Sequence, residues 1–144
     1  MENKIKHLEM IQSVIERMGN YSFLTKGWSV TLVAAIIALT SRDIPKLFIL
    51  LAFFPALIFW FLDGFYLWQE RLFRSLYNQV CKAKENEVDF SMDTTGVLKE
   101  KVCGKPNTWI RAMFSRSVFT FHGGIISAII AFIIIVLLAS YLIV

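Results

Sequence analysis

Three long stretches of this 144-residue chain contain no charged residue, and they constrain its fold more than any other feature. They run from 27 to 41, from 47 to 62 and from 123 to 144. The last is 22 residues long, and as an α-helix it covers about 33 Å, enough for a hydrocarbon core of about 30 Å. The chain is only 18% charged, whereas soluble proteins average about 25%. We therefore expect an all-α integral membrane protein with three transmembrane helices.

The first two spans reach the thickness of a bilayer only if they include a charged residue near one end. The first helix must begin near residue 21, with the Lys26 amine extending toward the headgroups. The second helix extends past Asp63. The predicted organisation is an amphipathic cytoplasmic or interfacial helix over 1–20, a transmembrane hairpin over 21–68 with helices of about 21–41 and 46–68, a helical cytoplasmic segment over 69–118, and a third transmembrane helix over 119–144.

The first twenty residues carry apolar side chains at a helical spacing. Ile5, Leu8 and Ile15 fall on one side, and charged residues lie elsewhere round the helix. Gly19 followed by Asn20 is a typical helix stop. The pattern predicts a separate amphipathic helix that lies on the membrane or packs on the cytoplasmic segment.

The distribution of lysine and arginine predicts the orientation. Four of them lie in the segment through Lys26, two in the connection between the first two spans, nine between 69 and 118, and none after the third span begins. Short basic segments remain on the cytoplasmic side. We expect a multi-pass membrane protein with a cytoplasmic N-terminus, a cytoplasmic 69–118 segment and an outside C-terminus.

Lys26 and Asp63 are the charges most nearly inside the apolar stretches. The tight connection between the first two spans makes the two helices neighbours, and the topology puts both charges at similar depth. An isolated charge in the membrane is costly, and a partner of opposite sign relieves the cost. We predict an ion pair that fixes the register of the hairpin. The alternatives are a role in gating or ion passage, and no direct contact between the two residues.

A second pair of opposite charges lies where the second helix leaves the membrane. Glu70 precedes Arg74 by four residues, which is the favourable order on a helix. Apolar residues continue at helical spacing beyond this pair. The second helix is therefore predicted to continue into the cytoplasm to about Lys84.

Small residues recur on one side of the first and third spans. They are Gly27, Thr31, Ala34 and Ala38 in the first, and Gly123, Ser127 and Ala131 in the third. In lipid, small side chains let helix backbones approach closely. Both sets are predicted helix contact faces, either within one subunit or between subunits. Because three helices bury little surface alone, we expect a homo-oligomer.

The cytoplasmic segment has two sequence signals of local structure. The acidic stretch over 85–96 predicts a loop, with a short helix beginning after Gly96. KPNT at 105–108 offers an N-cap for an amphipathic lead-in to the third span.

The sequence contains no motif of a known catalytic site. It lacks a GxSxG elbow, an HExxH helix and a Walker loop. Cys81, Cys103, His7 and His122 do not have the spacing of metal ligands. We expect no enzymatic activity, no cofactor and no metal. The net charge of +4 reflects positive-inside residues, so nucleic acid is not an expected partner.

Three runs carry a resemblance: KHLEMIQSVIERM, SFLTKGWSVTLVAA and FWFLDGFYLWQERLFR. Over about residues 5–84 the chain resembles a group of small bacterial membrane proteins and, in outline, the SLATT-type membrane effectors of antiphage defence. The resemblance implies assembly and permeabilisation of the inner membrane when a sensor fires. The third span is an addition to the two-helix pattern of those effectors.

Two functions are predicted. The first is a non-enzymatic homo-oligomeric effector that permeabilises or gates the membrane, with lipid and further copies of itself as partners and a cytoplasmic protein or signal ligand as trigger. The alternative is a membrane anchor or accessory subunit that recruits a cytoplasmic partner through residues 69–118. A holin-like lysis protein is disfavoured, because the segment before the third span is longer than such hairpins need.

Overall fold

The computed structural model describes residues 2–40, 46–98, 101–102 and 104–143. In these ranges the chain forms α1 (Glu2–Thr40), α2 (Phe53–Lys82), α3 (Trp109–Met113) and α4 (Arg116–Ile143). Short 3-10 helices span Lys46–Ala52, Glu85–Glu87 and Thr95–Val97. The two-residue strands β1 (Lys101–Val102) and β2 (Lys105–Pro106) pair antiparallel.

Three helical stretches are long and apolar enough to cross a membrane. They are Glu2–Thr40, Leu47–Lys82 and Arg116–Leu142. The predicted class, all-α with three candidate spans, is confirmed.

The predicted break between an N-terminal helix and the first span is wrong, because α1 continues through Gly19 and Asn20. A glycine inside a helix costs about 1 kcal/mol relative to alanine. Packing on both sides offsets that cost, since Ile15 before the glycine and Thr25 and Ser29 after it are buried. The amphipathic segment and the first span are therefore one continuous helix.

The second span begins as a 3-10 helix and becomes α-helical only at Phe53. Pro55 explains the late start, because proline has no N–H to donate to the carbonyl of Leu51 and its ring would clash with that carbonyl in a regular α-helix. The helix ends at Lys82, close to the predicted end near Lys84.

The lysine near the start of α1 caps the far end of α2. Lys4 Nζ donates to the carbonyl oxygens of Cys81 at 3.0 Å and Ala83 at 2.7 Å. The last carbonyls of a helix lack partners within the helix and carry its negative dipole end. Lys4 thus ties the first turn of α1 to the last turn of α2, as an antiparallel pair requires.

Two apolar clusters hold α1 against α2. The first contains Ile11, Ile15, Leu72, Leu76, Val80 and Val97. The second contains Val33, Ala52, Ala56 and Ile129. Only the second includes α4, which is otherwise largely exposed. Between the two clusters, α1 and α2 carry the buried polar residues Thr25, Ser29 and Asp63.

The 69–118 segment is predicted to be helical apart from a loop over 85–96, and its described residues between 83 and 108 are mostly not helical. Asp89 Oδ1 accepts the N–H of Ser91 at 3.0 Å, Ser91 Oγ that of Asp93 at 3.1 Å, and Asp93 Oδ1 that of Thr95 at 2.9 Å. Such local bonds compete with a helix, so the predicted loop over 85–96 holds. Hydrogen bonds from the Thr95 hydroxyl and N–H lower the pKa of Asp93.

Helix signals after this loop are only partly realised. The helix predicted after Gly96 is a single 3-10 turn over Thr95–Val97. The KPNT cap is present, since Thr108 Oγ1 accepts the Arg111 N–H at 3.4 Å. The lead-in then breaks after Met113, and the third long helix starts at Arg116.

Gly64 lets α3 approach α2. A Cβ at this position would lie 2.3 Å from Met113 Cγ and 3.0 Å from Met113 Cα.

We predict that Gly64→Ala destabilises the protein by about 1–3 kcal/mol through overpacking, measured by unfolding in detergent. Gly19→Ala is the control, because its Cβ would meet no described atom within 4 Å. Equal stability of the two variants would contradict the close approach.

Candidate functional site

Four polar side chains from three helices meet in the interior between the two apolar clusters. Ser22 and Lys26 come from α1, Asp63 from α2 and His122 from α4. We call this group the polar cluster. The hydrogen bond between His122 of α4 and Asp63 of α2 lies in the polar cluster, so the cluster helps to attach the third span.

Asp63 lies at the centre of the polar cluster, and its side chain is 0% exposed. Its Oδ1 accepts hydrogen bonds from Ser22 Oγ at 2.5 Å and from Lys26 Nζ at 2.7 Å. Its Oδ2 lies 3.1 Å from His122 Nε2. Each carboxylate oxygen therefore has a partner, which a buried charge requires.

Lys26 supplies the opposite charge that makes burial of Asp63 tolerable. The structure brings together these two residues, which the sequence analysis paired. Lys26 Nζ also donates a hydrogen bond to Ser22 Oγ at 2.8 Å, and the Ser22 hydroxyl in turn donates a hydrogen bond to Asp63 Oδ1. Removing one member of a buried pair leaves an uncompensated charge, which is worse than replacing both. The ion pair therefore fixes which residues of α1 and α2 lie opposite each other.

His122 completes the polar cluster, and the sequence analysis gave it no role there. It is 1% exposed. Because a carboxylate only accepts hydrogen bonds, the proton of this contact belongs to His122 Nε2. Its Nδ1 has no partner among the described residues.

A sequence signal could have found His122. Lys26 directly precedes the first uncharged stretch, Asp63 directly follows the second, and His122 directly precedes the third. In an up-down-up arrangement these three borders lie at the same side of the membrane. The three residues are thus expected at one depth in the membrane. His122 was considered only as a metal ligand, and its spacing did not fit that role.

Aromatic rings enclose the polar cluster. The Trp60 ring stacks on His122 with centroids 6.2 Å apart and an interplanar angle of 5°. Lys26 Nζ lies 5.9 Å from the centroid of the Phe121 ring, a cation–π distance. Both rings lie against members of the polar cluster, and apolar surroundings strengthen an electrostatic interaction.

Three tryptophans fasten the chain before α4 to α2 through their indole N–H groups. Trp60 donates to the Met113 carbonyl at 3.0 Å and Trp68 to that of Asn107 at 3.3 Å. Trp109 donates in the other direction, to the Phe61 carbonyl at 3.2 Å. The start of α4 is therefore held in place, and His122 with it.

The small residues predicted as contact faces do not pack the helices of one subunit together. Gly27, Thr31, Ala34, Ala38, Ser127 and Ala131 are exposed, and Gly123 is half-buried. Within the subunit α1 instead uses Thr25, Ser29 and Val33. Contact within one chain, one of the two options for these faces, is thus wrong for the described residues, because α2 packs on the opposite side of α1. Contact between subunits remains a prediction.

The remaining predicted residues lie outside the polar cluster. Arg74 Nε donates to Glu70 Oε1 at 2.8 Å on the surface of α2. Cys81 is an exposed free thiol, and Cys103 lies outside the described residues. In the ranges that the structure covers, no group of three or more His, Cys, Asp or Glu side chains could hold a metal ion.

No protein-family model matches this chain, and no curated protein or solved structure does. The resemblance to SLATT-type effectors remains a prediction.

The ion pair makes a prediction for a double-mutant cycle of Lys26→Leu and Asp63→Leu. Each single change should destabilise the protein by about 3–5 kcal/mol, because the partner stays buried and uncompensated. The double variant should be more stable than the sum of both losses implies. Unfolding in detergent measures all four proteins.

The exposed pair provides the control for this cycle. Glu70→Leu and Arg74→Leu should show a coupling of only about 0.3–0.5 kcal/mol, as surface pairs four residues apart do. Strictly additive losses at Lys26 and Asp63 would mean that the two residues do not support each other.

His122→Phe keeps a ring beside Trp60 but removes the donor to Asp63. We expect a loss of about 1–3 kcal/mol, the cost of a buried group left without its hydrogen bond. His122→Gln retains an N–H donor and should recover part of the loss. Both are measured by the same unfolding assay. The contact has no energetic role if phenylalanine and glutamine are equally well tolerated.

Proposed function

We propose that this chain is a non-enzymatic, multi-pass protein of the bacterial inner membrane that self-associates and permeabilises or gates the membrane. The resemblance to SLATT-type effectors suggests antiphage defence as its setting. The observation that carries the proposal is that the small residues of α1 and α4 face away from the subunit's own core.

The outward small face of α1 supports contact between copies. Gly27, Thr31, Ala34 and Ala38 recur at three- and four-residue steps, so they share one side of the helix. That side is opposite the buried Ser29 and the rest of the face that packs on α2. In lipid, such a face makes more favourable van der Waals contacts with another helix than with acyl chains, because small side chains let the two backbones approach closely.

The loose attachment of α4 supports the same reading. Ile129 is its buried residue in the second apolar cluster, while Ile135, Leu137 and Leu138 are exposed. A third helix that makes few contacts within its subunit has surface available for lipid and for neighbouring copies. A pore requires several such helices around an axis, which one chain does not supply.

The proposed orientation places the polar cluster at the cytoplasmic end of the spans. The positive-inside distribution favours a cytoplasmic N-terminus and an outside C-terminus. A signal received by residues 69–118 would then act close to the His122–Asp63 contact. Loss of that contact would free α4 to change its packing, which is how a gate could respond.

Leakage from reconstituted vesicles tests the proposal. The purified full-length protein should release a small entrapped dye, and Ala34→Leu and Ala131→Leu should each reduce release, because a larger side chain keeps the helices apart. Ala139→Leu is the matched control, since Ala139 is exposed on α4 but lies off the small-residue face. Cross-linking on the same vesicles reports the oligomeric state.

A second function is the membrane anchor, and a polar groove favours it. The groove has a volume of about 310 Å³ and is lined in part by Glu87, Asp89 and Asp93. All of its lining residues belong to the 69–118 segment, which the anchor function would present to a soluble partner. A monomer that releases no dye, but retains a specific protein when full-length chain is used as bait, would replace the leak proposal with this one.

A further inference from the structure

Basic side chains surround a pocket beside the start of α4. Its volume is about 260 Å³. The polar residues that line it are Arg71, Lys105, Asn107, Arg111, Ser115 and Arg116. We call it the basic pocket. Four of these residues are cations, and the described lining contains no carboxylate.

The four cations have no partner that accounts for their grouping. Among the described residues, Arg71, Lys105, Arg111 and Arg116 form no side-chain ion pair or hydrogen bond. Like charges held together repel one another, and an anion between them removes the repulsion. They come from α2, β2, α3 and the first residue of α4, so folding gathers them from four separate elements.

Two uncharged polar groups in the basic pocket also lack partners. Asn107 is only 5% exposed, and neither its Nδ2 nor its Oδ1 has a hydrogen-bond partner in the part of the chain that the structure describes. The Ser115 hydroxyl oxygen is also buried and has no hydrogen-bond partner among the described residues. Buried polar groups are nearly always hydrogen-bonded. An amide N–H and a hydroxyl left unpaired beside four cations are donors for a bound anion.

The backbone adds a further attraction for negative charge. Ser115 precedes the first residue of α4, and its carbonyl accepts the N–H of Phe119 at 2.9 Å. The first N–H groups of this long helix therefore lie at the basic pocket, together with the positive end of the helix dipole. Helix N-termini commonly bind phosphate.

From these observations we infer that the basic pocket binds a phosphate group. Arginine matches phosphate oxygens with paired N–H donors, and three of the four cations are arginines. The volume suits a single phosphate and its immediate substituents, since whole small-molecule sites usually occupy about 300–1,000 Å³. The site does not depend on pore formation and would serve an anchor equally well.

The phosphate can belong to an anionic phospholipid or to a soluble compound. The surroundings suit a headgroup, because Ile110 and Phe114 on the neighbouring turn are 67% and 59% exposed, and the apolar part of α4 begins just after Arg116. A lipid held there would place its chains along these apolar side chains and its phosphate among the arginines.

Native mass spectrometry of the full-length protein in detergent tests the inference. Phosphatidylglycerol and inorganic phosphate are titrated separately, with phosphatidylcholine as the zwitterionic comparison. We expect retained phosphatidylglycerol, and about a hundredfold weaker binding in the double variant Arg111→Gln, Arg116→Gln, because each of the two charged hydrogen bonds contributes roughly a factor of ten. Arg17→Gln with Lys82→Gln removes the same charge elsewhere and should leave binding unchanged.

A second variant guards against misfolding of the first. Asn107→Asp changes almost no volume, and its added negative charge should repel phosphate and weaken binding. Retention of inorganic phosphate that competes with the lipid would support the site with a soluble ligand, and retention of lipid alone would support a headgroup. Equal binding by wild type, pocket variants and control, or binding of neither ligand, would overturn the inference.

Discussion

The Asp63 carboxylate is the interaction on which the arrangement of the three long helices depends. It is fully buried and receives donors from α1 and α4. A buried carboxylate without these donors would cost several kcal/mol. The observed register of α1 against α2 and the observed rotation of α4 give both of its oxygens a partner. Apolar packing alone would tolerate several such arrangements, so the polar cluster selects among them.

Other contacts follow from that register. With Lys26 opposite Asp63, Ile15 and Leu72 fall in one apolar cluster on one side of the polar cluster, and Val33 and Ala56 fall in the other. Lys4 then reaches the end of α2. The tryptophans bind the chain around α3 to α2, which brings α4 back so that His122 can reach the carboxylate.

Sequence patterns predicted the parts of this arrangement that follow from the cost of charge in lipid. Three uncharged stretches gave the spans, and two charges at their borders gave the ion pair. Residue propensities were less informative, because packing beside Ile15 and Thr25 overrides the helix stop at Gly19. His122 was missed because it was considered only as a metal ligand, although its place at the border of the third uncharged stretch indicates its depth. The basic pocket was also missed, because its four cations are separated by up to 45 residues and meet only through folding.

The basic pocket and the polar cluster both include residues near the beginning of α4. Arg116 lines the pocket and His122 follows six residues later, a rise of about 9 Å along the helix. Beyond the second apolar cluster and the tryptophans, the described part of α4 is largely exposed, so its position can respond to both sites. A phosphate in the basic pocket would stabilise the position of α4 in which His122 donates to Asp63. When the phosphate leaves, that stabilisation is lost. A ligand changes a conformational equilibrium only through such a difference in affinity, and the start of α4 is where this chain could generate one.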